Sequence, residues 1–318
     1  MARQGLRVVA FGGGTGLPVL LRGLREAGER VTAIVTVADD GGSSGRLRQE
    51  LGVAPPGDVR SCLVALASRR RLAEVFDYRF EGGVDLRDHS VGNIIIAALS
   101  DISGGFAEGV EQAGRFLRIR GRVLPAATGS VTLVVRYTDG TVSHGESTVG
   151  QVGRAVSAVA VEPPDKPAPA AAIEAIEAAD VLVLAAGSLF TSTIAALLGR
   201  GVREALASFP GPIAYIANLM TQPGETEGFT VADHLRALAE HVGPVVTDVL
   251  VNSTPLREPL LGRYRAEGAE PVRVDRAAIE RLGVRVGETP LLADAGGREL
   301  RHDPERLARA VRTLIRPG

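Results

Sequence analysis

The sequence predicts an α/β protein with a doubly wound, mainly parallel sheet that carries helices on both faces. Short apolar runs recur along the chain, as is typical of parallel strands that are buried on both faces. Most of these runs end in glycine, hydroxyl or acidic residues, and apolar residues at helical spacing follow them. Strands that alternate with helices in this way predict βαβ units around a parallel sheet.

Composition narrows the class of protein. The chain has 318 residues, 45% of them hydrophobic, which is enough for a large core. A formal net charge of −1 gives no global basic field that would favour nucleic acid. Cys62 is the only cysteine, which excludes an internal disulfide and a zinc site of several cysteines. We expect a cytoplasmic protein, because no apolar run could span a bilayer and no signal peptide precedes the first strand.

The middle of the chain interrupts the alternation of strand and helix. Residues 131–135 and 141–149, joined by Thr138-Asp139-Gly140, predict a β-hairpin insertion, and residues 156–161 predict a further strand. A segment rich in proline and alanine follows at 163–172. We expect residues 1–318 to form a single domain, and the alternative of two lobes, 1–162 and 173–318, stays open.

The first glycine-rich turn follows an apolar strand at residues 6–11. The turn consists of Gly12, Gly13, Gly14, Thr15 and Gly16, and a helix with leucines at helical spacing comes next. Free N–H groups and the positive dipole end of such a helix favour a phosphate. Leu17 stands where the dinucleotide fingerprint needs its third glycine, and no Gly-Lys-Ser/Thr of a Walker motif is present. We predict a phosphate or pyrophosphate site, with a structural turn as the alternative.

A second apolar strand at residues 31–38 ends in acids. Acids at the carboxyl end of a parallel strand lie where α/β proteins bind ligands, and they can accept ribose hydroxyls or hold Mg²⁺. The loop also supplies glycine and hydroxyl donors, and either Arg46 or Arg48 could bind phosphate. The candidate residues are Asp39, Asp40, Gly42, Ser43, Ser44 and Arg46. The alternative is a solvated turn with a helix cap.

Two further predicted helix starts carry four candidate residues. Asp58 is either the N-cap of a helix over 59–68 or a ligand. A cation in the first helical turn is disfavoured by the dipole, so Arg60 indicates an anionic ligand or an acidic partner. His89 and Asn93 open an apolar helix, where His89 is either a general acid/base or a structural residue.

The second half of the chain repeats the pattern. A buried strand at 179–185 runs into Gly187, Ser188, Leu189 and Thr191 before a predicted helix, which makes a second candidate anion site. A strand at 213–217 precedes a polar loop with Asn218, Thr221, Gln222, Glu225 and Thr226, which suits recognition of a base or sugar or is a structural loop. The remaining predicted elements are helices at 231–241, 255–267 and 304–316, the last capped by Asp303, and strands at 245–252 and 271–275.

The chain resembles the CofD-like superfamily in six motifs, which are GGGTG, TVADDGGSSGRLR, PPGDVRSCLVALA, HSVGN, GSLFTS and NLMTQPGET. It is most similar to the YvcK branch, the gluconeogenesis factors, from residue 8 to about residue 314. The resemblance implies a Rossmann-like fold, a cytoplasmic location and a nucleotide ligand. YvcK-like members are linked to carbon metabolism, cell shape and the cell envelope, and to UDP-sugars. The CofD branch transfers a phospholactyl group from a nucleotide donor to a deazaflavin with Mg²⁺.

The resemblance also implies a residue set. Residues 12–16 and 39–44 would line the phosphate and metal region, with Asp39 and Asp40 as the metal ligands. The crevice would be completed by Asp58, Arg60, His89, Asn93, Ser188, Thr191, Asn218 and the loop 221–226. Tyr264 and Arg301 match a branch-specific tyrosine and Arg-His-Asp-Pro motif, and could cover a base and bind a diphosphate. Asp88, Ser61, Ala185 and Ala186 depart from the family pattern beside this crevice.

The function expected from these observations is regulatory. We expect a non-catalytic or weakly catalytic protein that binds a UDP-sugar such as UDP-N-acetylglucosamine and reports its supply to an unidentified protein partner. A Mg²⁺-dependent transferase of the CofD type is the alternative. Self-association into a homo-oligomer stays open.

Overall fold

The computed structural model describes residues 5–83, 86–149, 154–258, 260–293 and 299–315. Its strands are β1 (Arg7–Gly12), β2 (Arg30–Val35), β3 (Arg122–Pro125), β4 (Thr132–Tyr137), β5 (Val142–His144), β6 (Val156–Glu162), β7 (Val181–Leu184), β8 (Ile213–Ile216), β9 (Asp248–Asn252) and β10 (Arg285–Thr289). Its α-helices are α1 (Gly16–Glu26), α2 (Gly42–Leu51), α3 (Gly57–Leu66), α4 (Arg70–Asp77), α5 (Val91–Ile102), α6 (Phe106–Leu117), α7 (Ala170–Glu177), α8 (Val202–Ser208), α9 (Val231–Val242), α10 (Leu260–Ala266), α11 (Arg276–Arg281) and α12 (Pro304–Leu314).

The main sheet has seven parallel strands in the order β10-β9-β8-β7-β1-β2-β3. The chain builds outwards from β1 to β3 and then returns to the other side of β1 with β7. This reversal creates a switch point between β1 and β7, where doubly wound folds bind ligands. The α/β, Rossmann-like fold is therefore confirmed.

The sequence of the central strands explains their position. Val8, Val9, Ala10 and Phe11 of β1 are all buried, as a strand covered by helices on both faces requires. Both of the predicted lobes supply strands to this sheet, since β1 to β3 precede the segment at 163–172 and β7 to β10 follow it. Residue pairs from Val8↔Val181 to Phe11↔Leu184 join the two halves.

The insertion forms a small antiparallel sheet in the order β5-β4-β6. The hairpin is present, but the strand expected over 141–149 ends at His144. Gly145 turns the chain with a φ of +99°, and Glu146–Thr148 form a single 3₁₀ turn instead.

Several predicted boundaries in the second half were wrong. The helix expected over 255–267 begins at Leu260. The strand expected over 271–275 is reduced to isolated bridges at Pro271 and Arg273, because proline cannot donate to a ladder. The edge strand β10 was not predicted, since its half-exposed sequence RVGET has no apolar run. None of the helices described above is long and apolar enough to cross a bilayer.

Candidate functional site

The turns that follow β1 and β7 lie against each other at the switch point. A Cβ on Gly16 would be 1.9 Å from the carbonyl oxygen of Ala186, so only glycine permits this approach. A Cβ on Gly187 would be 3.2 Å from the carbonyl oxygen of Gly13. The two predicted anion sites, residues 12–16 and 187–191, are therefore neighbours in one crevice at the carboxyl ends of the strands.

Asp58 binds the first turn. Its Oδ2 accepts a hydrogen bond of 2.9 Å from the backbone N–H of Gly14, whose φ is +58°. Of the two roles predicted for Asp58, the N-cap is wrong, because α3 begins at Gly57 with Pro56 as its N-cap. Burial, together with the nearby charge of Asp39, raises the pKa of Asp58 to about 6 against opposing hydrogen bonding from Gly14. The N–H of Gly14, one of the donors that the sequence predicts for a phosphate, thus binds a carboxyl group of the protein itself.

A cavity of about 240 Å³ opens beside the same turn. It is lined by Gly14, Thr15, Pro18, Arg22, Arg25, Ser61, Val64, Ala65, Asp77 and Arg301. Arg25 donates to the carbonyl oxygens of Ala65 and Ala67, and Arg301 donates to Glu299 over 2.9 Å. The structure thus brings the glycine turn and Arg301 together. Sequence reasoning missed Arg22 and Arg25, whose spacing on α1 is also that of an ordinary solvated face.

The two aspartates after β2 point to different partners. Asp39 Oδ1 accepts from the N–H of Gly41 at 2.8 Å, and Asp39 lies close enough to Asp58 to raise its pKa. Asp40 Oδ1 accepts from the N–H of Ser147 in the insertion at 2.7 Å. Among the described residues, no group of three or more His, Cys, Asp or Glu side chains is arranged to hold a metal ion. Because Asp39 lies near Asp58, it faces the crevice, whereas the hydrogen bond from Ser147 commits Asp40 to the insertion.

His89, Asn93 and Ser43 form a buried group that joins α2 to α5. The Asn93 amide donates to Ser43 Oγ at 3.0 Å, and the Ser43 hydroxyl lies 3.0 Å from His89 Nδ1, to which it can donate. Burial, with the nearby charge of Arg46, lowers the pKa of His89. A neutral His89 suits this hydrogen bond, so Ser43 links His89 to Asn93, whereas the buried Oδ1 of Asn93 has no hydrogen-bond partner among the described residues.

The two predicted arginines of this region bind protein groups. Arg60 is 5% exposed and forms an ion pair with Asp77, at the end of α4. Of the two predicted partners for Arg60, an anion or an acid, the structure shows the acid. Arg46 donates to the carbonyl oxygen of Arg87 at 2.6 Å.

The second turn differs from its prediction. Leu189–Ile194 form a π-helical turn, and Ala195–Leu197 a 3₁₀ turn, so the expected α-helix is absent from this segment. The N–H groups of Phe190 and Thr191 donate to Glu225 Oε1 at 2.8 and 3.1 Å. Glu225 is 1% exposed, and burial raises its pKa to about 7 against these hydrogen bonds. The donors that were predicted to bind an anion therefore bind an internal carboxyl group.

The polar loop after β8 also binds the protein itself. Asn218 accepts from the Tyr215 hydroxyl at 2.7 Å and donates to the carbonyl oxygen of Gly187 at 2.8 Å. Thr221 Oγ1 accepts from the N–H of Glu270, and Thr226 Oγ1 accepts from that of Gln222. Tyr264 accepts from the N–H of Leu300 at 3.1 Å, next to Arg301. The Tyr264 hydroxyl thus anchors the backbone next to Arg301, which lines the cavity.

Glu146 is a crevice residue that sequence reasoning missed. It lies in the 3₁₀ turn of the insertion and faces Asp39, Asp58 and Glu225. Burial, with the charges of Asp39 and Asp58, raises its pKa to about 8, and a hydrogen bond with the Thr191 side chain opposes this. Its sequence context gives no signal, because a glutamate after a short hairpin strand is ordinarily solvated.

Comparisons with known proteins agree on a family. The model of the family described as 2-phospho-L-lactate transferase CofD matches residues 8–292. The gluconeogenesis factor of Halalkalibacterium halodurans is 47% identical over 279 residues, which cover 87% of either chain. The gluconeogenesis factor of Bacillus subtilis is 41% identical over 312 residues, which cover 98% of either chain. A crystal structure of a UPF0052 family member from Bacillus halodurans superposes with a TM-score of 0.93 at 43% identity, covering 97% of this chain and 99% of that one.

Proposed function

We propose, from the premise that this chain belongs to the CofD family and to its gluconeogenesis factor branch, that it is a regulatory protein which binds a UDP-sugar at the switch point. Its ligand would be a nucleotide diphosphate-sugar such as UDP-N-acetylglucosamine. The protein would act in the cytoplasm, in carbon metabolism, cell shape and envelope synthesis, through a protein partner.

The observation that carries this proposal is the arginine-lined cavity beside the first glycine turn. Arg22, Arg25 and Arg301 line it together with Gly14 and Thr15. Guanidinium groups bind phosphates through paired hydrogen bonds, and the helix end of α1 adds its positive dipole. A volume of about 240 Å³ suits the diphosphate alone, because pockets for whole ligands are larger, about 300 Å³ or more.

The base and sugar would then extend along the same edge of the sheet. A second cavity, of about 190 Å³, lies at the carboxyl ends of β8 and β9 and is lined in part by Asn218, Leu219, Val251 and Asn252. Apolar walls with a few amide groups suit a base or a sugar ring. We assign this cavity to the non-phosphate part of the ligand.

Asp39 is the residue that would hold Mg²⁺ if the diphosphate brings one. Mg²⁺ is usually bound by one or two carboxylates together with phosphate oxygens, and Asp39 faces the crevice, whereas Asp40 is committed to Ser147. The ion would neutralise charge on the phosphates. The same arrangement is what the alternative function needs, a CofD-type transferase that moves a phospholactyl group from a nucleotide donor to a deazaflavin.

The first experiment measures thermal unfolding with UDP-N-acetylglucosamine, GDP or NAD. A ligand at about a hundred times its Kd stabilises by roughly 2.7 kcal/mol, which moves the Tm of a chain of this size by about 5 °C. A shift with the UDP-sugar alone supports the proposal. A shift with GDP, together with deazaflavin turnover in the presence of Mg²⁺, would replace it by the transferase.

The Arg301→Ala variant tests the cavity itself. Loss of a charged hydrogen-bond donor costs about 1.5–3 kcal/mol, so the Kd for UDP-N-acetylglucosamine should rise about tenfold or more. Arg309→Ala is the matched control, because Arg309 lies on α12, 72% exposed, and pairs with Glu305. Equal affinity in both variants would remove Arg301 from the site.

A further inference from the structure

A basic groove lies at the amino ends of β1, β2 and β3, at the opposite end of the sheet from the crevice. Its volume is about 600 Å³, and α7 contributes to one wall. The charged side chains that line it are Arg7, Glu29, Arg30, Arg120, Arg122 and Glu174. It shares no lining residue with the cavity beside the first glycine turn. Four cations against two acids make this groove basic, although the whole chain has a net charge of −1.

Two of the acids near the groove are already bound by other groups. The carboxylate of Glu29 is 1% exposed, and it binds Arg312 and the N–H of Leu6. Asp180, which follows α7, accepts two hydrogen bonds from the guanidinium group of Arg7. Neither carboxylate is therefore free to pair with the remaining arginines.

Three arginines of the groove are left unpaired. Arg30, Arg120 and Arg122 are exposed, and none of them has a side-chain hydrogen bond or an ion pair within the described part of the chain. The pKa of Asp180 is lowered mainly by its hydrogen bond with Arg7, and Arg30 contributes least to this shift. The exposed Glu174 is then the remaining acid of the lining, so the groove keeps an excess of positive charge.

The register of the sheet sets these cations side by side. Arg7 of β1 is paired with Arg30 of β2. Arg122 of β3 is paired with Thr32, which lies on the same face of β2 as Arg30. Neighbouring strands are about 4.8 Å apart, and like charges at paired positions destabilise a sheet. An anionic chain that contacts several of these arginines removes this repulsion.

The surroundings of the groove favour a chain with several carboxylates over a small phosphate ligand. The helices α1, α6 and α7 end at this side of the sheet, at Glu26, Leu117 and Glu177. Phosphates are commonly bound at helix starts, where N–H groups are free, whereas these helix ends present carbonyl groups. A single anion would rely on exposed guanidinium groups, whose ion pairs are individually weak. Several carboxylates on one chain can pair with all three arginines at once.

The groove continues along the outer edge of the sheet. A second groove, of about 470 Å³, shares Gly121 and Arg122 with the first and lies beside the edge strand β3, between α6 and α7. Its walls include the apolar side chains of Val110, Leu124 and Pro169. An extended peptide suits a path of this kind, because its side chains alternate and can reach both a charged and an apolar wall.

We propose that the two grooves together bind an extended acidic segment of a protein partner. Its carboxylates pair with Arg30, Arg120 and Arg122, and its apolar side chains lie along β3. A nucleic acid suits this path less well, because its phosphates find no partners in the apolar second groove and a net charge of −1 does not attract it. The inference rests on the proposed function only in that a protein partner exists, and the grooves lie apart from the UDP-sugar site.

Fluorescence anisotropy with a labelled peptide of alternating glutamate and valine tests the site, in the absence of UDP-N-acetylglucosamine. We expect the wild-type chain to bind the peptide. The triple variant Arg30→Gln/Arg120→Gln/Arg122→Gln should raise the Kd about tenfold, because it removes three exposed ion pairs. A wild-type chain that does not bind the peptide, or that binds an oligouridine more tightly than the peptide, overturns the proposal.

A second triple variant provides the matched control. Arg69→Gln/Arg70→Gln/Arg71→Gln removes the same charge from an exposed run at the start of α4, and it should bind the peptide nearly as the wild type does. Circular dichroism melts of both triple variants check that they fold. Equal losses of affinity in the two variants would mean that the peptide responds to overall charge and not to this groove, which overturns the proposal.

A gain of affinity cannot arise from a folding defect, and Glu174→Gln should provide one. Removal of this acid from the groove should lower the Kd of the peptide about two- to threefold. Glu177→Gln is the control on the same helix, because Glu177 is exposed but does not line either groove. Unchanged or weaker binding by Glu174→Gln contradicts a site at this groove.

Thermal unfolding with UDP-N-acetylglucosamine separates this inference from the proposed function. The triple variant of Arg30, Arg120 and Arg122 should keep the ligand-dependent shift of the Tm, since these arginines lie at the other end of the sheet. A wild-type chain that shows the shift and does not bind the peptide overturns the groove alone. Peptide binding without a shift supports the groove and overturns the UDP-sugar ligand.

Discussion

The two turns at the switch point share a sequence pattern and differ in what their donors bind. In the first turn, a single N–H of Gly14 donates to Asp58, and a cavity with three arginines opens beside it. In the second, two N–H groups donate to one oxygen of the buried Glu225. The pattern of strand, glycine and helix predicts donors, but an acid far away in the sequence decides whether they remain available. The proposed ligand site therefore lies at the first turn, whereas the N–H donors of the second turn stabilise the fold by binding Glu225.

The largest effect should come from separating the two turns. Gly16→Ala would place a Cβ 1.9 Å from the Ala186 carbonyl oxygen, which is backbone and cannot rotate away. We expect a loss of about 3 kcal/mol in the free energy of unfolding, measured by urea denaturation. Gly82→Ala is the control, because its Cβ would meet nothing within 4 Å. Equal stability of the two variants would show that the turns do not depend on this contact.

The Glu225→Ala variant tests whether the hydrogen bonds from the second turn to Glu225 stabilise the folded protein. Removal of the carboxyl group leaves the N–H groups of Phe190 and Thr191 buried without their acceptor, at a cost of about 2–3 kcal/mol. Urea denaturation measures this loss, and Glu240→Ala on the exposed face of α9 should leave stability nearly unchanged. A Glu225→Ala variant as stable as wild type would mean that the second turn relaxes and finds other acceptors.

Sequence patterns predicted the five inner strands of the main sheet and the glycine turns, because these depend on local periodicity, but not the edge strands β3 and β10. The acids of the crevice were less predictable. Asp58 was recognised as a candidate, but its partner Gly14 lies 44 residues away. Glu146 was missed, because it enters the crevice only through the turn of the insertion. Patterns of single residues report local geometry, whereas these contacts depend on how distant segments pack.

Three acids of the crevice, Asp58, Glu146 and Glu225, should make stability depend on pH. Burial raises the folded-state pKa of Asp58 to about 6, of Glu225 to about 7 and of Glu146 to about 8, from ordinary values of 3.8, 4.5 and 4.5. The folded state then binds more protons than the unfolded state between about pH 4 and pH 8. The stabilising contribution is complete below the unfolded values and is lost as the pH rises through the folded ones.

We expect the free energy of unfolding to fall as the pH rises from about 5 to about 8. Urea denaturation at several pH values measures the slope. Glu225→Gln should flatten the part of the curve near pH 7, because an amide does not titrate there. Stability that rises with pH over this range would show that the N–H donors favour the charged carboxylates more strongly than burial disfavours them.

The smallest expected effect concerns the proposed displacement of the Asp58 carboxylate by a ligand phosphate at the first turn. Asp58→Asn retains an oxygen for the Gly14 N–H and removes a charge that repels phosphate, so the affinity for UDP-N-acetylglucosamine near pH 8 should rise about fivefold, or ~1 kcal/mol. In the wild-type protein, affinity should rise as the pH falls through about 6, where Asp58 becomes neutral. In the variant this dependence should disappear. Calorimetric titration at several pH values measures both effects, with the exposed Asp101→Asn as the control.

The sign of the Asp58→Asn effect separates two roles for that carboxyl group. If Asp58 only occupies the place of a phosphate oxygen, its charge opposes binding and the variant binds more tightly. If Asp58 instead accepts a ligand hydroxyl or shares a metal ion with Asp39, its charge favours binding, and the variant binds more weakly at every pH. Weaker binding would mean that the N–H donors of both turns only stabilise the fold, and that carboxylates give the site its specificity. Tighter binding would leave Glu225 as the structural acid and Asp58 as the one that a ligand displaces.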